Sequence, residues 1–169
     1  MLSRFYPDVD VKSTYKIDFE AFYRHGYRGI IFDIDNTLVP HGAPADKSAI
    51  ELFNKLHKLG FQTMLLSNNK EPRVKSFAQQ VESPYIFKAG KPGKGGYEKA
   101  MEQMGTSTET TFFVGDQLFT DVWGAKRLGI FTVLTAPINP KEEIQIVLKR
   151  ILEKVVLFFY RRHKENSHD

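Results

Sequence analysis

The sequence predicts an α/β fold organised on a mainly parallel, five-stranded sheet. Three observations predict it. Short β-prone runs alternate along the chain with stretches of helical spacing, the pattern of strand–helix–strand units with right-handed crossovers. The run that leads it, Ile30-Ile31-Phe32, is apolar throughout rather than alternating, as a strand covered on both faces is. Four of the runs then end in polar residues, and in an open α/β sheet such residues meet in the crevice beyond the carboxyl ends of the strands.

Residues 1–26 read as an aromatic-rich extension packed on the core through Phe19, Phe22 and Tyr23. Tyr6-Pro7-Asp8 is a turn, and Asp18 to His25 a short helix with Asp18 as N-cap and Gly26 as its stop. Gly29 to Ile34 is the first strand. A Pro/Gly segment, Leu38 to Ala45, leads to a helix over Asp46 to Leu59, with Ile50, Phe53, Leu56 and Leu59 on one face and Gly60 after it. Phe61 to Leu66 is the second strand, ending in Ser67-Asn68-Asn69. Pro72 opens a helix to Gln80. Tyr85 to Phe87 is a short third strand before a basic turn, Lys88 to Lys91, and Gly95 to Met104 is helical. Thr111 to Val114 is the fourth strand, ending in Gly115-Asp116. Asp121 starts a helix to Leu128, and Ile130 to Leu134 is the fifth strand.

Asn139, Pro140 and Glu142 start a last helix as N-cap, N1 and N3. Ile144, Val147, Leu148, Ile151, Leu152 and Val155 recur in it at helical spacing, among Lys149, Arg150, Lys154, Arg161, Arg162 and Lys164. The expected organisation is an extension at 1–26, a core at 27–138 and an amphipathic helix with a basic tail at 139–169.

Composition narrows the chemistry. With no cysteine among 169 residues, disulfides, thiol catalysis and thiolate metal sites are excluded. A net charge of +4 favours anionic partners: phosphate esters, acidic membrane surfaces or RNA. No apolar run approaches the ~20 residues of a membrane span, and the first residues lack a signal-peptide core, so the expected location is the cytoplasm.

Asp33 and Asp35 are two apart and point to one side of an extended backbone. Alone they would read as a capped turn. Thr37 and Ser67 alone would also be turn caps, Lys91 a solvated turn, and Asp121 a helix N-terminal charge. Together, Asp33/Asp35, Ser67, Lys91 and Asp116/Asp121 arrive from four strand ends at one edge. Carboxylates crowded in this way take up protons unless a cation holds them. Oxygen ligands without cysteine or clustered histidine select a hard ion, Mg²⁺ first. A carboxylate can attack phosphorus, a second can pass the proton, and the ion and a lysine offset the repulsion. His41 and His57 have no ligand spacing and read as solvated, and Trp123 as core or crevice wall.

These residues resemble the four motifs of the haloacid dehalogenase (HAD) superfamily, in order: Asp33-x-Asp35-x-Thr37, Ser67, Lys91 before Pro92, and Gly115-Asp116 with Asp121. The resemblance implies a Rossmannoid three-layer sandwich. It implies Asp33 as nucleophile and Asp35 as general acid/base, and a phosphate-binding set of Thr37, Ser67, Asn68 and Lys91. Mg²⁺ would be held by Asp33, Asp116 and the backbone carbonyl of Asp35, with Asp121 supporting. Gly26-Tyr27-Arg28-Gly29, Asp35-Asn36-Thr37-Leu38-Val39, Ser67-Asn68-Asn69 and Gly115-Asp116-Gln117-Leu118 further resemble the YqeG family of subclass IIIA, which is similar to phosphatidylglycerophosphate phosphatases.

Neither Leu38–Leu66 nor Asn68–Gly90 has room for a cap domain, so an open site is expected, suited to a phosphate on something large. Lys70, Arg73, Lys75, Lys88 and Lys94 are candidates for its rim, though about half are expected to be ordinary solvated charges. The substrate so implied is phosphatidylglycerophosphate, dephosphorylated to phosphatidylglycerol, with residues 153–164 free either to end a docked helix or to touch an anionic membrane on its inner face. A protein or nucleic-acid phosphate is the alternative substrate. A basic RNA- or ribosome-binding module is the alternative class, resting only on charge and on aromatics among basic residues.

Overall fold

The computed structural model describes residues 2–141, 147–148, 151–152, 155–156, 158 and 162. Six strands form one sheet: β1 (Val9–Val11), β2 (Gly29–Phe32), β3 (Gln62–Leu66), β4 (Tyr85–Ile86), β5 (Thr111–Gly115) and β6 (Phe131–Thr135). Their order is β1-β6-β5-β2-β3-β4, and each pair is parallel. From β2 the chain runs outward through β3 and β4 on one side, then returns to lay β5 and β6 on the other. The crevice between β2 and β5 is therefore a topological switch point, where such sheets place their ligands.

The sixth strand corrects the expected five. Val9–Val11 is short and mostly exposed, so it lacks the apolar run by which a central strand is read. Long-range bonds secure it instead. The Asp8 carboxylate accepts from the Thr132 N–H and hydroxyl, both at 2.8 Å, and Lys126 lies 3.2 Å away. The extension at 1–26 is thus partly an edge of the sheet.

Alternating side chains of the central strands enter two cores, so helices cover both faces. Ile30, Phe32, Leu65, Phe112 and Val114 pack on one side with residues of α1 (Phe19–Arg24), α2 (Lys47–Leu59) and α3 (Glu71–Val81). Ile31, Met64, Leu66 and Phe113 pack on the other with α4 (Gly95–Met104) and α5 (Trp123–Lys126). Helix α2 begins where the Asp46 side chain accepts from the Ala49 N–H at 2.8 Å, and stops where Gly60 takes φ 100°. It buries Ala49, Leu52, Phe53 and Leu56, the larger ones worth roughly 1.5–3 kcal/mol each. Ile50, expected on that face, instead faces outward.

The helix expected from Asp121 starts earlier and differently. Leu118–Val122 winds as a π turn, in which the Gln117 carbonyl accepts from both the Asp121 and Val122 N–H groups, and continues as α5. Among the described residues, no further domain is inserted between β2 and β4. Asn139–Asp169 forms a second compact unit after Met1–Ile138. Its Val147, Leu148, Ile151, Leu152, Val155 and Val156 are exposed. Glu142, Ile144, Lys149, Arg150, Lys154, Arg161 and Lys164 lie outside the described residues, so the expected cap and the membrane contact of 153–164 fall largely there. Among the described residues no helix is long and apolar enough to cross a membrane.

Candidate active site

The site begins where β2 runs out. Past Phe32 the Asp33 N–H still donates to the Val114 carbonyl at 3.0 Å, so Asp33 leaves the sheet directly beside β5. The chain then turns tightly. Asn36 takes φ 62°, a left-handed value that Asn tolerates, and the Thr37 and Leu38 N–H groups both donate to the Ile34 carbonyl. That turn swings the Thr37 hydroxyl back towards two carboxylates, 2.9 Å from Asp116 Oδ1 and 3.3 Å from Asp33 Oδ2.

The other strand ends close on the same point. Lys91 extends its ammonium to Asp33 Oδ1 at 2.8 Å and to Asp121 Oδ1 at 2.6 Å, with its side chain 2% exposed. It is held there from the tip of β3. The Asn68 amide donates to the Lys91 carbonyl at 3.0 Å and accepts from its N–H at 2.8 Å. The Asn68 side chain, expected among the phosphate binders, is therefore spent on joining two loops. Ser67, at the same tip, is buried, and its hydroxyl accepts from the Asn69 N–H.

From β5 come Asp116 and Asp121. A carbon added at Gly115 would lie 2.5 Å from Asp121 Oδ2 and 2.6 Å from the Phe113 ring, so only glycine lets Asp121 fold back this closely. Tyr97 braces the same turn, its hydroxyl 2.9 Å from the Thr120 carbonyl and 3.2 Å from that of Asp121.

Carboxylate oxygens of Asp33, Asp116 and Asp121 all lie within 4.8 Å of one another. Burial, with Asp121 and Asp35 nearby, pushes Asp33 up to about 6 even against Lys91. Burial works against the Lys91 charge too, but Asp121 and Asp33 outweigh it and raise its pKa. Three carboxylates thus face one buried ammonium. An all-oxygen donor set with that excess of negative charge fits a hard divalent cation such as Mg²⁺.

Asp35 is turned elsewhere. Its Oδ1 accepts from the Gly42 N–H at 2.7 Å and from Arg73 Nη2 at 3.0 Å, with His41 Nδ1 at 4.0 Å, and Asn69 Nδ2 stands 3.4 Å from Oδ2. Burial alone would raise this carboxyl, but the Gly42 N–H, Arg73 and His41 together hold it below the usual range. Its side chain lies outside the cluster of three carboxylates.

Several residues of this site escaped sequence reasoning. Thr14 and Tyr15, in the extension read as plain packing, donate from their hydroxyls to the Thr37 and Leu38 carbonyls at 2.8 and 2.6 Å and so fix the turn after Asp33. Tyr97 carries no local signal, because its partners lie 23 and 24 residues away. Arg73 stood among five candidate rim cations with nothing to single it out. Of these, Lys70, Lys75, Lys88 and Lys94 are exposed, while Arg73 is held against Asp35. His41, read as solvated, faces the same carboxylate; His57 instead meets the Thr63 hydroxyl at 3.1 Å.

Known proteins resemble this chain in sequence and in fold. Residues 41–129 match the family model of haloacid dehalogenase-like hydrolases. The chain is 35% identical over 164 residues to the probable phosphatase YqeG of Bacillus subtilis, covering 96% of this chain and 95% of that protein. It is 30% identical over 164 residues to phosphatidylglycerophosphate phosphatase 1, chloroplastic/mitochondrial, of Arabidopsis thaliana, covering 89% of this chain but only 47% of that longer protein. In fold it is similar to the cobalt-bound deoxy-D-mannose-octulosonate 8-phosphate phosphatase of Haemophilus influenzae, with a TM-score of 0.54, 16% identity, and 68% and 72% of the two chains covered. With the family model spanning more than half of its length and the Bacillus protein matched nearly end to end, the chain belongs to the haloacid dehalogenase-like hydrolases, with a phosphatase-type domain.

Proposed function

We propose that the chain is a Mg²⁺-dependent phosphomonoester hydrolase that removes the terminal phosphate of phosphatidylglycerophosphate through an aspartyl-phosphate on Asp33. The observation that carries the reaction is the triad of Asp33, Asp116 and Asp121 with Lys91 between two of its members. Asp33, Asp116 and the Asp35 backbone carbonyl would hold the ion, with Asp121 supporting, and its charge would offset the repulsion between phosphate and carboxylate.

Within that frame each residue has a task. Asp33 attacks phosphorus as the bond to the ester oxygen breaks, and Asp35, once turned from Arg73 and protonated, gives its proton to the departing alkoxide. Asp35 then takes a proton from water, whose oxygen attacks the aspartyl-phosphate and frees inorganic phosphate and Asp33. Thr37, Ser67 and Lys91 orient the phosphoryl oxygens, and Asn68 positions Lys91. Lys91 keeps Asp33 ionised despite its burial, because its ammonium favours the charged form.

The lipid substrate is supported by two features. Relatives of 30% and 27% identity carry the name phosphatidylglycerophosphate phosphatase. The crevice also has no inserted domain over it among the described residues, which suits a headgroup presented at a surface. The test is phosphate release from phosphatidylglycerophosphate in mixed micelles, with Mg²⁺ and with EDTA. Release only with Mg²⁺ is expected. Brisk release from another ester and none from the lipid would overturn the substrate; no release from any ester would overturn the reaction.

A further inference from the structure

The resting site holds its own acid/base in a grip that the reaction must break. Asp35 Oδ1 receives Arg73 through Nε at 3.3 Å and Nη2 at 3.0 Å, besides the Gly42 N–H at 2.7 Å. The Arg73 side chain is 16% exposed, and its guanidinium lies 5.6 Å from the Phe77 ring, so it is aimed into the crevice rather than waving in solvent. To serve a leaving oxygen, an Asp35 oxygen has to turn from these donors to the substrate. Doing so would strand a largely buried cation without its anion, a costly arrangement.

We propose that Arg73 is an anion subsite for a second, non-scissile phosphate on the leaving alcohol, which takes the place of Asp35 on the guanidinium and so frees Asp35 for catalysis. The inference rests on the phosphatase reading above and deepens it. Asp35 would then stand between the leaving oxygen and Arg73. A phosphodiester on the same glycerol as the scissile phosphate supplies such an anion; a simple monoester with no other charge does not, and is expected to be the slower substrate. A guanidinium also suits a phosphodiester, since its fork meets two oxygens at once. His41 and Asn69 flank the subsite from the turn after β2 and from the tip of β3.

The experiment compares glycerophosphoglycerophosphate, the soluble headgroup with its diester, against glycerol phosphate, which lacks it. In Arg73→Ala, kcat/KM on the diester-bearing ester is expected to fall at least ten-fold further than on glycerol phosphate, with Arg73→Lys in between. In the wild type, glycerophosphoglycerol, the diester without a scissile phosphate, is expected to compete with glycerol phosphate. Equal losses on both esters, or no competition, would overturn the subsite and leave the phosphatase reading standing. A wild type that cleaves neither of these esters nor the lipid overturns both; one that cleaves the lipid but not glycerophosphoglycerophosphate overturns the subsite alone. The competition needs no variant, so it decides the matter even if Arg73→Ala fails to fold.

Discussion

Asp33 and Asp35 are two residues apart and equally shielded, with side chains 13% and 14% exposed, but differ in the charges around them. Asp33 belongs to the interior, with Asp116 and Asp121 close by and Lys91 as its buried cation. Asp35 lies on the rim side, bound by a backbone N–H, by the largely buried Arg73 and by the more exposed His41. Burial is the largest influence on each, and it is countered fully only at the rim, so the two carboxyls are pushed in opposite directions. One triplet thus supplies two chemically distinct groups, because a strand aims its alternate residues alike while the following turn redirects the second.

That contrast can be broken from the inside first. Asp33→Asn is expected to cut turnover on the order of a thousandfold or more, with circular dichroism unchanged. The Asp33 pKa in the folded chain, about 6, lies above the unfolded value of 3.8, so ionising it opposes folding. The penalty is absent below about pH 3.8, grows as pH rises, and is complete above about 6. In EDTA, Asp33→Asn should therefore melt above the wild type at pH 8 and level with it near pH 4. A constant difference across that range would mean that burial is not what distinguishes Asp33.

Removing the counterion is the next largest change. Lys91→Ala leaves the interior carboxylates without their ammonium and should cost about 3–5 kcal/mol in metal-free urea unfolding. Mg²⁺ sharpens the contrast from the other direction. At a hundred times its dissociation constant it should stabilise the wild type by about 2.7 kcal/mol, and Asp116→Ala should remove that gain. Tyr97→Phe deletes the hydroxyl beneath the Asp121 turn and should cost about 1 kcal/mol. Smallest of all, His41→Asn at the rim should change stability by under about 0.5 kcal/mol. A larger loss there than for Tyr97→Phe would reverse the ranking of interior over rim.

The parts of this arrangement legible in the sequence are those written locally. Apolar runs marked the central strands, Asp46 and Gly60 marked the ends of α2, and each polar residue directly after a run pointed at the crevice. Long-range partners were not legible. Val9–Val11 became a strand through Asp8 and Thr132, which are 124 residues apart. Thr14 and Tyr15 meet the turn after Asp33 only in three dimensions, and Arg73 could not be told from Lys70 or Lys75 until α3 was oriented. Ile50 shows the limit of periodicity: a moderately apolar residue at the margin of a stripe can face either way, and Ala49 took the inner place.

The seating of β1 beside β6 has a consequence for how the chain comes to life on the ribosome. Val9 pairs with Val133, so the first strand synthesised is the last that can find its neighbour. Thr14 and Tyr15 follow it directly, and until β6 has emerged their segment is secured to the sheet only from its far side, where Phe19 packs on Phe32 and Phe112. A nascent chain would hence carry Asp33 early but hold the brace on the adjoining turn from one side only, until almost the whole core has been made.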